Sequence, residues 1–277
     1  MSTTPLNLDS GFPSRSRGIA DAWADIVTGL SKSWIWFALA MQDIQTRYRG
    51  SMLGPFWLTL SNVIMIVGIG VIWARLFHQD IYTFMPYLMI GLTLWQFIST
   101  SISDGCYTFL GAQEIIQQVP MPFSVHAFRV VCRNFVVLAH TGIIIPIGLV
   151  LLRAPFGWRD LEVIPGLLIL WLNCVWIAIL FGLVSARFRD VPPIITNLVG
   201  IFVFITPIFW PLDALGEWKS FVALSPFFAA IDIIRAPLLG VATEPSSWTV
   251  MLALTIIGWV CAFTAFARYR RRVAFWV

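Results

Sequence analysis

Long apolar runs, broken only by short polar turns, constrain this chain more than any other feature. Runs of about 20 apolar residues recur, and each is long enough to cross a hydrocarbon layer as a helix. They read as segments 55–77, 84–110, 123–152, 163–186, 192–210 and 248–267. Composition agrees. Apolar residues make up 58% of the 277-residue chain and charged residues only 12%, where a soluble domain carries about 25% charged. A water-soluble fold could not cover itself with so few charges. The reading is an all-α membrane protein with six transmembrane helices, and it excludes a secreted disulfide scaffold, a nucleic-acid-binding domain and a disordered chain.

The remaining segments are polar or broken. Residues 1–28 read as a cytosolic tail, and the first 30 residues lack the apolar core of a cleavable signal peptide. Residues 29–50 hold an apolar stretch too short to span. Trp34, Phe37, Ala38 and Met41 recur there at helical spacing opposite Lys32, Gln42, Asp43 and Gln45, which suits an amphipathic helix in the membrane interface. Residues 51–277 form the transmembrane domain. Within it, 211–247 contains Pro211, Pro226, Pro237 and Pro245 and two short apolar runs, 220–231 and 233–241. These read as two re-entrant helices, because irregular backbone at membrane depth needs protein or water beside it. Six spans put both termini on one side. Thirteen of the 18 Lys and Arg residues then share that side, against Arg75, Arg153, Arg159, Lys219 and Arg235 opposite, so the termini read as cytosolic.

Few constellations offer chemistry. No phosphate-binding G-x-x-x-x-G-K-[ST] run is present, so the chain has no P-loop for nucleotide. His78, His126 and His140 are far apart, and Cys106, Cys132, Cys174 and Cys261 sit singly in apolar segments, which gives neither a metal site nor a disulfide framework. The turn 113–122 mixes acid, amides and apolar residues and closes on Pro-x-Pro. It reads either as a solvated loop or as a short helix presenting Ile115, Ile116 and Val119 to another protein. Arg47 and Arg49, just before the first span, either anchor to lipid head groups or recognise a phosphate-bearing lipid. Asp104 lies 14 residues before Gln118 and Arg133 lies 15 after it, so antiparallel spans bring the two to similar depth, as an ion pair or as part of a proton relay. Fourteen Trp and 22 Phe residues supply interfacial belts, packing, or faces for sugar C–H surfaces.

The runs RYRGSMLGPFWLTLSNVIMIVGIGVIWARLF (47–77), PIFWPLDAL (207–215), SPFFAAIDIIRAPLLG (225–240) and RRRVAFWV (270–277) resemble the permease subunit of polysaccharide-exporting ATP-binding-cassette transporters. This is the Wzm-type group of O-antigen, capsule and teichoic-acid exporters, and the resemblance covers about residues 30–277. It implies a homodimeric pore in the bacterial inner membrane. It also implies two copies of a separate ATPase subunit that bind ATP and Mg, with no cofactor in this chain, and a lipid-linked polysaccharide as cargo. By the same resemblance, Glu114, Gln117, Gln118, Pro120 and Met121 form the coupling helix that docks the ATPase, with Arg187, Arg189 and Asp190 as a secondary contact. Arg47 and Arg49 meet the lipid diphosphate at a lateral entrance. Trp57, Phe204 and Phe209 face the sugar path. A related permease for a drug or a lipid shares the six-span plan. A membrane-embedded transferase would need an intramembrane histidine or acidic pair near the surface, and the only deep acid is Asp104, with no histidine at matching depth.

Overall fold

The computed structural model describes residues 15–52, 54, 56–153 and 157–277, and the side chains of all of these except 15–17 and 213–215. Pro55, where the first expected span begins, and residues 1–14 of the N-terminal tail lie outside that set. Among the described residues all regular structure is helical. Five helical runs are long and apolar enough to cross a bilayer. They are α3 (Phe56–Leu76), α4 (Ile81–Cys106), the pair α6 (Ser124–Thr141) and α7 (Ile144–Leu151), α8 (Val163–Arg187) with the 3-10 turn before it, and α12 (Pro245–Tyr269) with the turn after it.

The fifth expected span, 192–210, is shorter than the sequence suggested. Helix α9 (Val191–Ile205) has 15 residues, or about 22 Å at the α-helical rise, short of the ~30 Å hydrocarbon layer. It stops because Thr206 precedes Pro207. A residue before proline is pushed from the helical to the extended region, and Thr206 sits at φ −82°, ψ 136°. Two other boundaries moved for related reasons. Pro86 is inside α4 rather than at its start, since the helix already begins after Asp80. The third segment is broken at Gly142, where a Cβ would come within 2.6 Å of the Leu138 carbonyl oxygen.

The 211–247 stretch also divides differently from expectation. Helix α10 (Lys219–Ala223) and helix α11 (Pro226–Leu238) follow one another, and the run 216–223 meets α11 at 93°. The break falls at Leu224–Ser225, ahead of Pro226 at the first turn of α11, and not at Asp232. Asp232 instead sits buried in mid-helix. Its Oδ2 accepts the Glu244 backbone N–H at 2.9 Å and the Ser247 hydroxyl at 2.8 Å, which ties α11 to the start of α12.

Helix α4 is central. It packs against α3, α6, α7, α8, α9 and α11, and 61% of its most apolar window is buried against 22% in α3. Apolar burial alone drives little association inside lipid, so close contact and internal hydrogen bonds must hold the bundle. Gly258 of α12 lies so near the Trp176 indole of α8 that a Cβ would stand 2.2 Å from it. Asn173 of α8 donates to Thr255 Oγ1 of α12 at 2.7 Å and accepts from Trp176 Nε1 at 2.9 Å. Two further helices, α1 (Arg15–Ser31) and α2 (Ser33–Arg47), wrap the end of the bundle that carries the described terminal segments, and α1 packs on both α6 and α12.

Candidate functional site

Charged side chains concentrate at the terminus-bearing end. Residues four apart share a helix face, and that spacing aligns Asp43 with Arg47 on α2 and Arg129 with Arg133 on α6. Arg129 Nε donates to Asp43 Oδ2 at 2.8 Å, and Arg129 Nη2 contacts Asp43 Oδ1 more closely still. Arg133 bridges two acids, with Nη1 3.1 Å from Asp43 Oδ2 and Nη2 2.8 Å from Asp104 Oδ2. Arg47 Nη2 lies 3.9 Å from the same Asp104 oxygen, and its side chain is 45% exposed where the other four are 14–20% exposed. The sequence register around Gln118 placed Asp104 and Arg133 at one depth, and the structure joins them. It also adds Asp43, Arg129 and Arg47.

Three guanidinium groups face two carboxylates, so the cluster carries one excess positive charge. Arg129 Nη1 and Arg133 Nε are buried donors without a protein partner among the described residues. A 500 Å³ cavity lined by Gln42, Thr46, Arg47 and Ile115 opens onto Asp43, Arg129 and Arg133. Burial alone would raise the Asp43 carboxyl, but the Arg129 and Arg133 guanidinium groups outweigh it and hold the group below its ordinary 3.8. A phosphate arriving here would find the accessible Arg47 guanidinium at the rim, with one unengaged donor each on Arg129 and Arg133 behind it. Arg49 is exposed on the turn after α2 and makes no ion pair among the described residues.

The turn between α4 and α6 carries the short helix α5 (Gln113–Gln118). Glu114, Gln117, Gln118 and Pro120 are exposed there, and Met121 is half-buried. The expected apolar docking face is smaller than the sequence suggested. Val119 is exposed, but Ile115 and Ile116 are only half-exposed and Ile116 packs against the core. Gln117 Nε2 donates to the Val277 carbonyl at 3.2 Å, and helix α13 (Val273–Trp276) packs on both α5 and α8. Arg187, Arg189 and Asp190, at the α8–α9 turn, are all exposed at this end, with the Arg187 guanidinium over the Phe188 ring.

The back of the α5–α6 turn is clamped by both terminal segments. Asp25 of α1 accepts the backbone N–H groups of Phe123 and Ser124 at 3.2 and 3.0 Å, and so supplies the cap that the N-terminus of α6 lacks locally. Ser124 Oγ returns a bond to the Asp25 carbonyl at 2.8 Å. From beyond α12, Arg270 reaches Asp25 at 3.5 Å and Arg271 reaches Asp21 at 2.6 Å.

The aromatic candidates divide. Phe204 is 72% exposed and stacks on Phe209, whose ring also stacks on Trp73 at 6.0 Å, with Phe77 beyond it at 5.3 Å. Trp57 is exposed but lies 16 residues from Trp73 on α3, about 24 Å along the axis, so it belongs to the other end of the bundle. Sequence reasoning missed Trp73 and Phe77, although their spacing of four signals one helix face. It also missed Asp43 and Arg129 as partners; the Arg129/Arg133 repeat was the available signal. Among the described residues no three His, Cys, Asp or Glu side chains form a metal-binding group.

Residues 35–239 match the family profile described as ABC-2 type transporter. The chain is 25% identical over 205 residues to the O-antigen export system permease protein RfbA of Myxococcus xanthus, covering 72% of this chain and 78% of that one. It is 23% identical over 185 residues to the protein of the same name from Klebsiella pneumoniae, covering 65% and 70%.

Proposed function

We propose, from the premise that this chain belongs to the ABC-2 type transporter family, that it is the transmembrane subunit of an ATP-driven exporter for a lipid-linked polysaccharide. Its relatives' names supply the cargo class. The single observation in the molecule that carries the reading is the arginine-rich cluster of Arg47, Arg129 and Arg133, with its excess positive charge, opening to a cavity beside the α5 turn. One end thus offers an anion site and, next to it, a surface for a partner.

In this reading both termini are cytosolic in a bacterial inner membrane, two copies form the pore, and two ATPase subunits dock below. The ATPase subunits bind the ATP and Mg. Helix α2 lies in the interface, with Trp34 and Phe37 outward (73% and 50% exposed) and Asp43 inward. Arg47 meets the lipid diphosphate, backed by Arg129 and Arg133, with Arg49 at the outer rim. The bent pair 216–238 is the re-entrant element on the far side. Exposed α3 and α9 line the path, where Trp57, Phe204 and Phe209 present ring faces.

The mechanism follows from solvation. A glycan cannot cross hydrocarbon, because each hydroxyl would give up its hydrogen bonds to water at a cost of about several kcal/mol. A path lined by rings and water replaces part of that hydration. The ATPase supplies the work through Glu114, Gln117, Gln118, Pro120 and Met121, with Arg187, Arg189 and Asp190 as a second contact. Displacement of α5 passes along the turn into α6, whose first backbone N–H groups Asp25 ties to α1, so the two sites are coupled. The chain performs no bond chemistry itself.

The test is affinity purification of the tagged chain in mild detergent, followed by ATPase assay. The expected outcome is a stoichiometric ATPase subunit whose turnover rises with lipid-linked glycan, and a recovery that falls in a Glu114→Ala, Gln118→Ala double variant. A chain that purifies alone, with no ATPase encoded beside it, would sink the proposal. Stimulation by a lipid without sugar would favour lipid export instead.

A further inference from the structure

The interior between α3, α4 and α6 carries several polar side chains among apolar ones, where a lipid-embedded bundle is expected to be apolar throughout. A cavity of about 260 Å³ runs inward from Arg47, where Thr93, Gln96 and Thr100 of α4 and Asn134 and Thr141 of α6 line it together with apolar side chains of α3, α4 and α6. Asn134 is 3% exposed, and its Nδ2 has no protein partner among the described residues. Thr93 and Thr141 donate their hydroxyls to the carbonyls of Met89 and Val137 in their own helices, which leaves their oxygens as acceptors. The inward face of α3 repeats the pattern one turn on. Thr59 and Asn62 are buried, with Oγ1 and Nδ2 unpartnered. Polar groups at membrane depth are retained where they are used, because hydrocarbon offers them nothing.

The chemistry of the lining selects a ligand class. Arg47, at the mouth, is the only charged residue of the lining. Deeper in, every polar group is an amide or a hydroxyl, each able to donate or accept. An anion would meet no cation inside, and an acyl chain would leave the amides unpaired. A neutral polyhydroxylated ring satisfies both kinds of group. The cavity corresponds to about nine waters at about 30 Å³ each, room for one sugar ring of about a dozen heavy atoms and not for an oligosaccharide.

We propose that this cleft is a saccharide subsite, which takes the sugar residue joined directly to the phosphate while Arg47 holds the phosphate at its mouth. The inference rests on the exporter reading and adds a place for the first sugar. Helix α3, which packs mainly on α4 and α6 and is otherwise exposed, is the wall that can admit it.

The experiment measures binding of two probes to the chain co-purified with its ATPase: a polyisoprenyl diphosphate, and the same lipid carrying a single hexose. For the unaltered protein the hexose is expected to tighten binding. Asn134→Leu is expected to weaken the hexose-bearing probe about 10-fold and leave the bare diphosphate unchanged. Gln96→Leu, at a position exposed to the cleft, should act in the same direction without a folding defect. Arg47→Gln should weaken both probes. Equal affinity of the unaltered protein for the two probes would overturn the subsite and leave the exporter reading standing. So would equal losses, or no loss, for both probes in Asn134→Leu and Gln96→Leu. Failure of the unaltered protein to bind either probe would overturn both.

Discussion

The two ends of the bundle are held by different physics. At the terminus-bearing end, five charged side chains from α2, α4 and α6 share partners, and Asp21, Asp25, Arg270 and Arg271 tie α1 to the chain beyond α12. At the opposite end one buried guanidinium joins three segments. Arg235 of α11 is 3% exposed, donates to the Pro207 carbonyl at 2.9 Å and lies 3.9 Å over the Tyr87 ring. The Tyr87 hydroxyl shares its one proton between the carbonyls of Pro207 and Trp210, at 2.8 and 3.1 Å, so α4, α11 and the segment after α9 meet at this point. In the first network each acid is shared between cations, whereas at the second point the links to Pro207 and Tyr87 pass through one guanidinium.

Removing the buried Arg235 guanidinium should have the largest effect. Arg235→Met deletes a buried hydrogen bond and a desolvated cation–π contact, together about 3 kcal/mol, which for a chain of this length lowers Tm by about 6–12 °C. Thermal unfolding in detergent reads it directly, and a fall no larger than that of the variants at the other end would break the comparison. Next comes Asp43→Asn, which strips both Arg129 and Arg133 of a partner. It should cost about 2 kcal/mol, held down because Arg133 keeps Asp104 and the cluster opens to a cavity. Asp104→Asn should cost about half as much, since Arg133 keeps Asp43; equal losses would mean that the network does not share load.

Acid should have the smallest effect, and it sharpens the contrast. The Asp43 carboxyl is held below its ordinary 3.8. Its stabilising contribution is therefore complete above that value and is lost as pH falls through the lower folded value. Protection of α2 amides in hydrogen exchange should stay level between about pH 8 and about pH 5 and decline only below about pH 4. Asp43→Asn should flatten that decline. Loss of protection at about pH 6 would point to a different anchor.

How much of this was legible in advance differs residue by residue. Hydrophobic runs fix spanning helices because lipid leaves the backbone few alternatives, and the Asp104–Arg133 relation followed from counting outward from one turn. The α9 stop was readable from Thr206-Pro207, yet an unbroken apolar run hid it. Asp232 looked like a break between two helices. It is instead buried and satisfied by a backbone N–H and a hydroxyl 12 and 15 residues away, a pairing that no local pattern encodes. Arg235 was counted only as a far-side charge. Its burial over Tyr87 depends on three segments meeting, and periodicity cannot report that.

The sequence by itself determined the class of molecule, its apolar helical segments and the position of the α5 turn, because desolvation of the backbone and hydrophobic length act locally. The tertiary structure decided which charges neutralise one another, where the excess positive charge remains, how the terminal segments brace the α5–α6 turn and which amides are left unpaired between α3, α4 and α6. Those outcomes depend on distances between helices far apart in the chain, and interaction energies set by distance and burial exist only once the helices have packed.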